Sequence, residues 1–474
     1  MRIATNQRYI YLTGLIALAG AVLGFAGGVV TGIQPLYIGL GIGVALVLIY
    51  FFASFPQAVL MLLIVRCSID IFSKQQIPSA LAIGVNILTL LYVGLQLLQQ
   101  KKVQTDAFWW FFAGWVLLQA IWVILLPLGG LGFDGAYLVS SLREWVRLFS
   151  WLMVYLLVMQ LKDQIEPEAM LSQLLLGLIP PLTLAFLQMV VPSILPPLLS
   201  ADAGGEIQAV SSGNESRIRG TLGHPNGFAT YLLLFIGLTW WKLGSAKQRL
   251  PWLLLLGVLA MFFVSTKALF SLMMLAVFVL VLIAPRLDLF KIIGGIIFLV
   301  LVIGLFASTP FGQERLATLA NTPLFNPDID VSRAILLAKG DNNSFNWRLG
   351  QWTYLLEQWQ QYPLLGYGLG LSIFVSTNQL LPHNDYVRAL VDGGIIGLIT
   401  FIIFFLVQGL WLLRLIKSPL TSDSQKRLCE ILLALLAAIP VGMITENIWS
   451  HTTLFFYWWT IFALAGWQWK QHPT

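Results

Sequence analysis

The sequence is short of charge. Only 10% of its 474 residues are Asp, Glu, Lys or Arg, against about 25% in soluble domains, which excludes an ordinary soluble fold. It holds two cysteines, Cys67 and Cys429, and four widely spaced histidines. With no acidic cluster, that leaves neither a disulfide framework nor a ligand set for a catalytic metal. There is no Gly-x-Ser-x-Gly elbow, no dinucleotide fingerprint, no repeat of fixed period and no clear inverted duplication of the kind found in many transporters. The first apolar run is long and lacks a small-residue cleavage site, so no cleavable signal is expected. The net charge of +6 is accounted for by loop charges that orient a membrane protein, and it calls for no nucleic acid.

What the sequence has in abundance is apolar length. Hydrophobic residues make up 58%, and the mean hydropathy is +0.83. Runs of about 20 apolar residues, each enough to cross a bilayer, recur from end to end without the alternation of barrel strands. Eighteen Trp and thirteen Tyr suit interfacial belts. The chain therefore reads as an all-α polytopic membrane protein of about 12–14 transmembrane helices. The runs lie near 10–30, 35–54, 56–72, 80–99, 107–127, 140–160, 169–192, 225–243, 251–265, 267–284, 289–308, 393–416, 428–447 and 451–469. Three regions follow: N-terminal helices over 1–192, a central region over 193–416 with loops 193–224 and 309–392, and C-terminal helices over 417–474. Lys101, Lys102, Lys162, Lys242, Arg286, Arg414, Lys426 and Lys470 fall on one side, which the positive-inside rule makes cytoplasmic together with both termini. The two long loops are then external. Cys67 and Cys429 fall near opposite faces, too far apart to bridge.

Ionisable residues inside spans are expensive and point to function. Arg66 with Asp70, Arg143/Glu144/Arg147, Lys267 and Glu446 all fall toward the external ends of their helices. Arg217, Arg219, His224, Arg348, His383, Arg388 and His451 lie in the external loops and turns. A basic cluster with a few carboxylates is thus expected at one membrane face. Arg66 and Asp70, four residues apart, are also placed to pair with each other, and Arg143 and Arg147 to snorkel.

Three motifs organise this cluster. Arg217-Ile218-Arg219-Gly220-Thr221-Leu222-Gly223-His224-Pro225-Asn226 places arginines before a helix start, a combination suited to an anion. Arg348, Trp352, Leu355 and Trp359 share one stripe of an amphipathic helix. The stripe predicts an interfacial helix with its tryptophans among lipid headgroups and Arg348 placed to reach a lipid-borne phosphate. Pro363-Leu364-Leu365-Gly366-Tyr367-Gly368-Leu369-Gly370 supplies permissive turns before Pro382-His383-Asn384-Asp385, where a short helix begins that stops at Gly393-Gly394. His383 is the candidate general base, with Asp385 or Glu446 to orient it.

Taken in order, Arg-x-x-Gly-Thr-x-x-His-Pro-Asn, Ser-Thr-Lys-Ala, Asn-x-Arg…Trp…Pro-Leu-Leu-Gly-x-Gly and Pro-His-Asn-x-Tyr before Gly-Gly-Ile-Ile-Gly-Leu resemble the bacterial O-antigen ligase and polymerase superfamily, over about 217–410. The resemblance implies a metal-independent, inverting glycosyltransferase of the bacterial inner membrane, without cofactor, open to the periplasm. Its donor would be a glycan on undecaprenyl diphosphate, and its acceptor a lipid or another glycan. The resemblance puts the catalytic histidine on His383, the loop arginine on Arg348, the arginine before the Pro-Asn motif on Arg219 or Arg217, and Lys267 where the family carries an arginine. Arg143, Arg147, His224, Asn226, Asn384, Asp385 and Glu446 are supporting candidates. Two other readings remain open at this point: a carrier of a small anion such as bicarbonate, and a non-catalytic assembly subunit. A carrier places its polar groups in broken helices at mid-membrane, whereas here they gather at one face.

Overall fold

The computed structural model describes residues 35–201, 217–284, 344–376 and 379–469, with isolated helical positions between 293 and 317. Among the described residues the protein is all helix, without strands. The apolar runs at 10–30 and 289–308 fall largely or wholly outside them, as do parts of both long loops. The described helices are α1 (Pro35–Ala53), α2 (Phe55–Val65), α3 (Ile77–Leu98), α4 (Ala107–Leu128), α5 (Leu138–Met159), α6 (Pro167–Leu174), α7 (Ile179–Val190), α8 (Pro225–Ser245), α9 (Leu250–Ser265), α10 (Leu269–Ile283), α11 (Ser344–Trp359), α12 (Ser372–Val375), α13 (Asp385–Lys417), α14 (Asp423–Gly442) and α15 (Thr452–Ala465).

Four of these segments are long and apolar enough to cross a membrane: α3, α4, the joined pair α6–α7 over Pro167–Val190, and α13. The run expected at 56–72 is helical only to Val65 and ends in two 3-10 turns, Arg66–Ser68 and Asp70–Gln75. There Arg66 and Asp70 do pair, at 2.5 Å, and Thr452 and Thr453 at the start of α15 hold the two side chains in place. Both cysteines are buried and free; the Cys67 thiol donates to the Gly177 carbonyl.

The centre of the bundle is α15, which is buried on every side from Thr453 to Ala465. It packs against α5, α8 and α14, and the second half of α5 is buried almost as completely. A helix that is apolar all round needs such company. Outer helices show the opposite pattern, with Leu90, Leu117, Leu254, Leu272, Ile403 and Leu410 exposed, as lipid-facing positions should be. The two ends of the bundle are defined by contacts. At one end Gln425 of α14 donates to the Ala465 and Trp467 carbonyls after α15, and Tyr155 of α5 donates to Asp106, the N-cap of α4. At the other end gather the starts of α5, α8, α13 and α15 and the ends of α9 and α14, and the polar residues collect there.

α13 is broken. Gly394 takes φ 65° and ψ −165° inside an otherwise continuous 33-residue helix. Such a break frees backbone groups that lipid cannot satisfy, and the segment 363–368 supplies the missing partners. Tyr367 N and Gly368 N donate to the Val391 and Asp392 carbonyls at 2.9 Å, while Ile395 N and Ile396 N donate to the Pro363 and Leu364 carbonyls. The glycines expected as turns therefore also allow backbone to meet backbone: a Cβ on Gly366 would sit 2.5 Å from the Val391 oxygen. The stripe of α11 is used for the same purpose. Leu355 is fully buried in a cluster with Tyr367, Val387 and Val391, flanked by Trp352 and Trp359. The amphipathic face thus covers the first turns of α13, with Trp352 and Trp359 partly buried against them. A Gly394→Ala substitution combines a left-handed φ with a collision against Leu364. It should destabilise the detergent-solubilised protein by about 2–4 kcal/mol, read as a drop in thermal midpoint; Gly409→Ala, which has ordinary contacts, should change it little.

Candidate active site

The site is built on the Glu446 carboxylate. It sits in the turn between α14 and α15 and is 3% exposed. A buried carboxylate needs several partners, and those of Glu446 come from remote parts of the chain. Its Oε2 accepts from Asn226 Nδ2 at 2.5 Å, and its Oε1 accepts from Asn447 N at 3.1 Å and lies 3.4 Å from His383 Nδ1. Asn226 in turn accepts from Arg217 at 2.7 Å, and Arg217 Nε donates to the Thr266 carbonyl at 2.9 Å. Arg348 donates to the Thr445 carbonyl at 3.0 Å, next to the carboxylate. Four expected site residues, Arg217, Asn226, Arg348 and His383, thus converge on Glu446, drawn from α8, α11 and the loops before α8 and α13.

Local structure sets each side chain. Pro225 opens α8, and His224 caps it by accepting from Asn226 N at 3.1 Å, which leaves the Asn226 amide free to bridge Arg217 and Glu446. Asn384 caps α13 by accepting from Tyr386 N and Val387 N, both at 3.0 Å. His383, just before that cap, adopts φ 52°, a left-handed conformation in which histidine is enriched. Trp352 holds it there by donating to the Pro382 carbonyl, and Trp347 meets its ring edge-on at 5.7 Å. The His383 Nδ1 atom is buried while the side chain as a whole is 26% exposed. The ring therefore turns one nitrogen inward to the carboxylate.

Asp385, the other residue expected to orient His383, points elsewhere. Its Oδ2 accepts from Trp449 N at 2.8 Å. Arg219 is also turned away: its guanidinium donates to the carbonyls of Leu198, Ser200 and Gly223 and clamps the loop before α8. Of the two arginines left open by the motif, Arg217 is the one that reaches Glu446's partners. Lys267 is exposed in the turn after α9, at φ 53°, one residue beyond the carbonyl that Arg217 grips. Arg143 is exposed, whereas Arg147 pairs with Glu144 and lies over Trp151.

Electrostatics follow from the packing. Burial alone would push the Glu446 carboxyl up, but the close approach of His383 and the surrounding His451 and Arg348 outweigh it, holding the acid well below the usual range. Burial pulls the Arg217 guanidinium below its ordinary value; Glu446 resists this and Arg348 adds to it. A cation so placed gains from an added anion. His451, in contact with Thr230 at 2.9 Å, is drawn down by burial to about 4.

Beside this cluster is a second one that the sequence reading did not assemble. Arg388 donates to Glu144 and to Ser450, both at 2.8 Å, and lies 3.5 Å from Asp392. Arg388, Glu144 and Asp392, with Gln119 and Asp385, line a cavity of about 40 Å³, wide enough for water. The available signals were the i,i+4 spacing of Arg388 and Asp392 and the intramembrane Glu144; nothing in the sequence said they would meet.

Residues 252–402 match the O-antigen ligase family model, about a third of the chain, and the match includes Lys267, Arg348 and His383. Arg217, Asn226 and Glu446 lie outside it. A search of curated proteins gave no match.

The pH dependence of stability has a defined sign. The folded protein keeps His451 neutral down to about pH 4, while in the unfolded chain it takes a proton near its ordinary value of about 6.5. Its contribution to stability is complete above pH 6.5 and is lost as the pH falls toward 4. The thermal midpoint should therefore drop over that interval, and less steeply in His451→Gln; an identical slope in the variant would contradict the assignment.

Proposed function

We propose, from the premise that the chain belongs to the O-antigen ligase superfamily and so is a glycosyl-transferring membrane enzyme, that it moves a glycan from undecaprenyl diphosphate to an acceptor hydroxyl at the periplasmic face. The observation that carries the reading is the convergence of His383, Arg348 and Arg217 on one buried carboxylate at one end of the bundle. An anion carrier would hold its polar groups at mid-membrane, and no observation here favours that alternative.

The chemistry follows the charges. With Nδ1 directed at Glu446, the His383 Nε2 is the nitrogen that faces substrate and takes the proton from the acceptor hydroxyl. The acceptor oxygen attacks the anomeric carbon from the side opposite the diphosphate, so the configuration inverts. The carbon–oxygen bond to phosphate breaks, and the lipid diphosphate leaves with the electron pair. Its charge grows toward the transition state, where Arg348, Arg217 and Lys267 attract it most strongly. These protein-borne cations take the part a divalent ion plays elsewhere, so the transfer proceeds without a metal. Glu446 keeps His383 oriented and favours the imidazolium formed in the step.

Purified protein in lipid nanodiscs, supplied with a lipid-linked glycan, should show donor turnover that His383→Ala lowers by about 10²–10⁴-fold while donor binding persists. Arg348→Lys, which keeps the charge but loses the planar fork, should lower kcat by about 10²-fold. Unchanged turnover in His383→Ala would refute the base assignment, and absence of turnover by the wild type would refute the transferase reading.

A further inference from the structure

The distance between His383 and Glu446 is 3.4 Å, too long for the pair to hold its own two loops together. The loops are fastened by other bonds. Asp385 N donates to the Met443 carbonyl at 2.9 Å, and Asp385 Oδ2 accepts from Trp449 N at 2.8 Å. Arg388 NH1 donates to Ser450 Oγ at 2.8 Å. Met443 and Trp449 bracket Glu446 in sequence, and Asp385 and Arg388 follow His383 within two turns of α13. The segment carrying the carboxylate is thus stitched at both ends to the segment carrying the histidine.

Arg388 does more than close one stitch. Its NH2 donates to Glu144 of α5 at 2.8 Å, and its Nε lies 3.5 Å from Asp392, whose other oxygen accepts from Ser372 N at 2.6 Å. It is 4% exposed. One guanidinium therefore ties the His383 turn and the Glu446 loop to the fixed wall of the bundle, using three edges of a planar fork that lysine lacks. Buried ion networks of this kind add little net stability over an apolar packing of the same shape. What they can supply is a single register, and the register here is that of the reacting pair.

We propose that Arg388 is a positioning residue: through Ser450 and Glu144 it fixes the distance and angle between His383 and Glu446. The inference rests on the transferase reading above and adds to it a residue remote from the proposed donor phosphates. Because Arg388 acts on the orientation of the base and not on the diphosphate, its loss acts on kcat and spares donor KM.

Two substitutions test it in the full-length protein. Arg388→Lys keeps the buried charge and removes the fork; Ser450→Ala removes one stitch without leaving a buried charge unpaired, and so keeps the fold if the first variant does not. Both should lower kcat by about 10- to 100-fold, with donor KM within about twofold of wild type. In a Glu446→Gln background, where there is no carboxylate to orient, neither should lower the rate further. Wild-type kcat in folded Ser450→Ala would overturn the proposal. So would a loss of equal size in both backgrounds, which marks a merely structural role. The two levels fail separately: with wild-type turnover present and His383→Ala inactive, unchanged stitch variants sink the positioning role alone, whereas an inactive wild type sinks the transferase reading and this inference with it.

Discussion

A carboxylate that has left water must be surrounded by donors, and Glu446 shows how much structure this demand can organise. Its partners are an asparagine at the start of α8, a histidine before α13 and, through neighbouring backbone, an arginine on α11. None is near it in sequence. The acid is held below its usual range by the groups around it, and Arg217, lowered chiefly by burial, reaches it only through Asn226. Cations gathered at one end of the bundle suit a further anion, which is the part given to the lipid diphosphate in the proposed transfer.

The second constraint is the break in α13. A helix that crosses lipid can stop and restart only where other backbone repairs it. Here residues 363–368 do so on both sides of Gly394, with α11 packed over the repair through Leu355. The consequence for function is geometric. The first turns of α13, with His383 and Asn384 at their start, are held against the bundle end by a loop that would otherwise be free in solvent. The tryptophans of α11 contribute directly, since Trp352 grips the carbonyl beside His383.

Much of this was legible in the sequence, and the parts that were not share a cause. Helices came from apolar runs, because lipid imposes length and hydrophobicity on any segment that crosses it; α4 and α8 fall within two residues of their expected positions. Glu446 stood out because an ionisable residue within an apolar run is costly unless used, Arg348 from its place on an amphipathic stripe and His383 from the Pro-His-Asn motif. Contact choice was not legible. Arg217 and Arg219 are two residues apart and chemically identical, and only the fold shows that one bonds Asn226 while the other is consumed by three loop carbonyls. Likewise Asp385 and Glu446 were equivalent candidates for His383, separated by which backbone N–H each one meets. The stripe of α11 was legible as one amphipathic face, but periodicity does not name what that face packs against. The network around Arg388 was invisible for the same reason: its members lie on α5, α13 and the turn before α15.

The central claim is that the Glu446 carboxylate orients His383 and, by its charge, steadies the cation formed as His383 takes the acceptor's proton. It is tested most directly by the single-turnover rate of Glu446→Gln at saturating donor, in protein shown to be folded. The amide keeps the shape and an acceptor for Asn226 but removes the charge. The account predicts a rate about 10²-fold or more below wild type, with donor still bound. A variant that transfers glycan as fast as the wild type would contradict it.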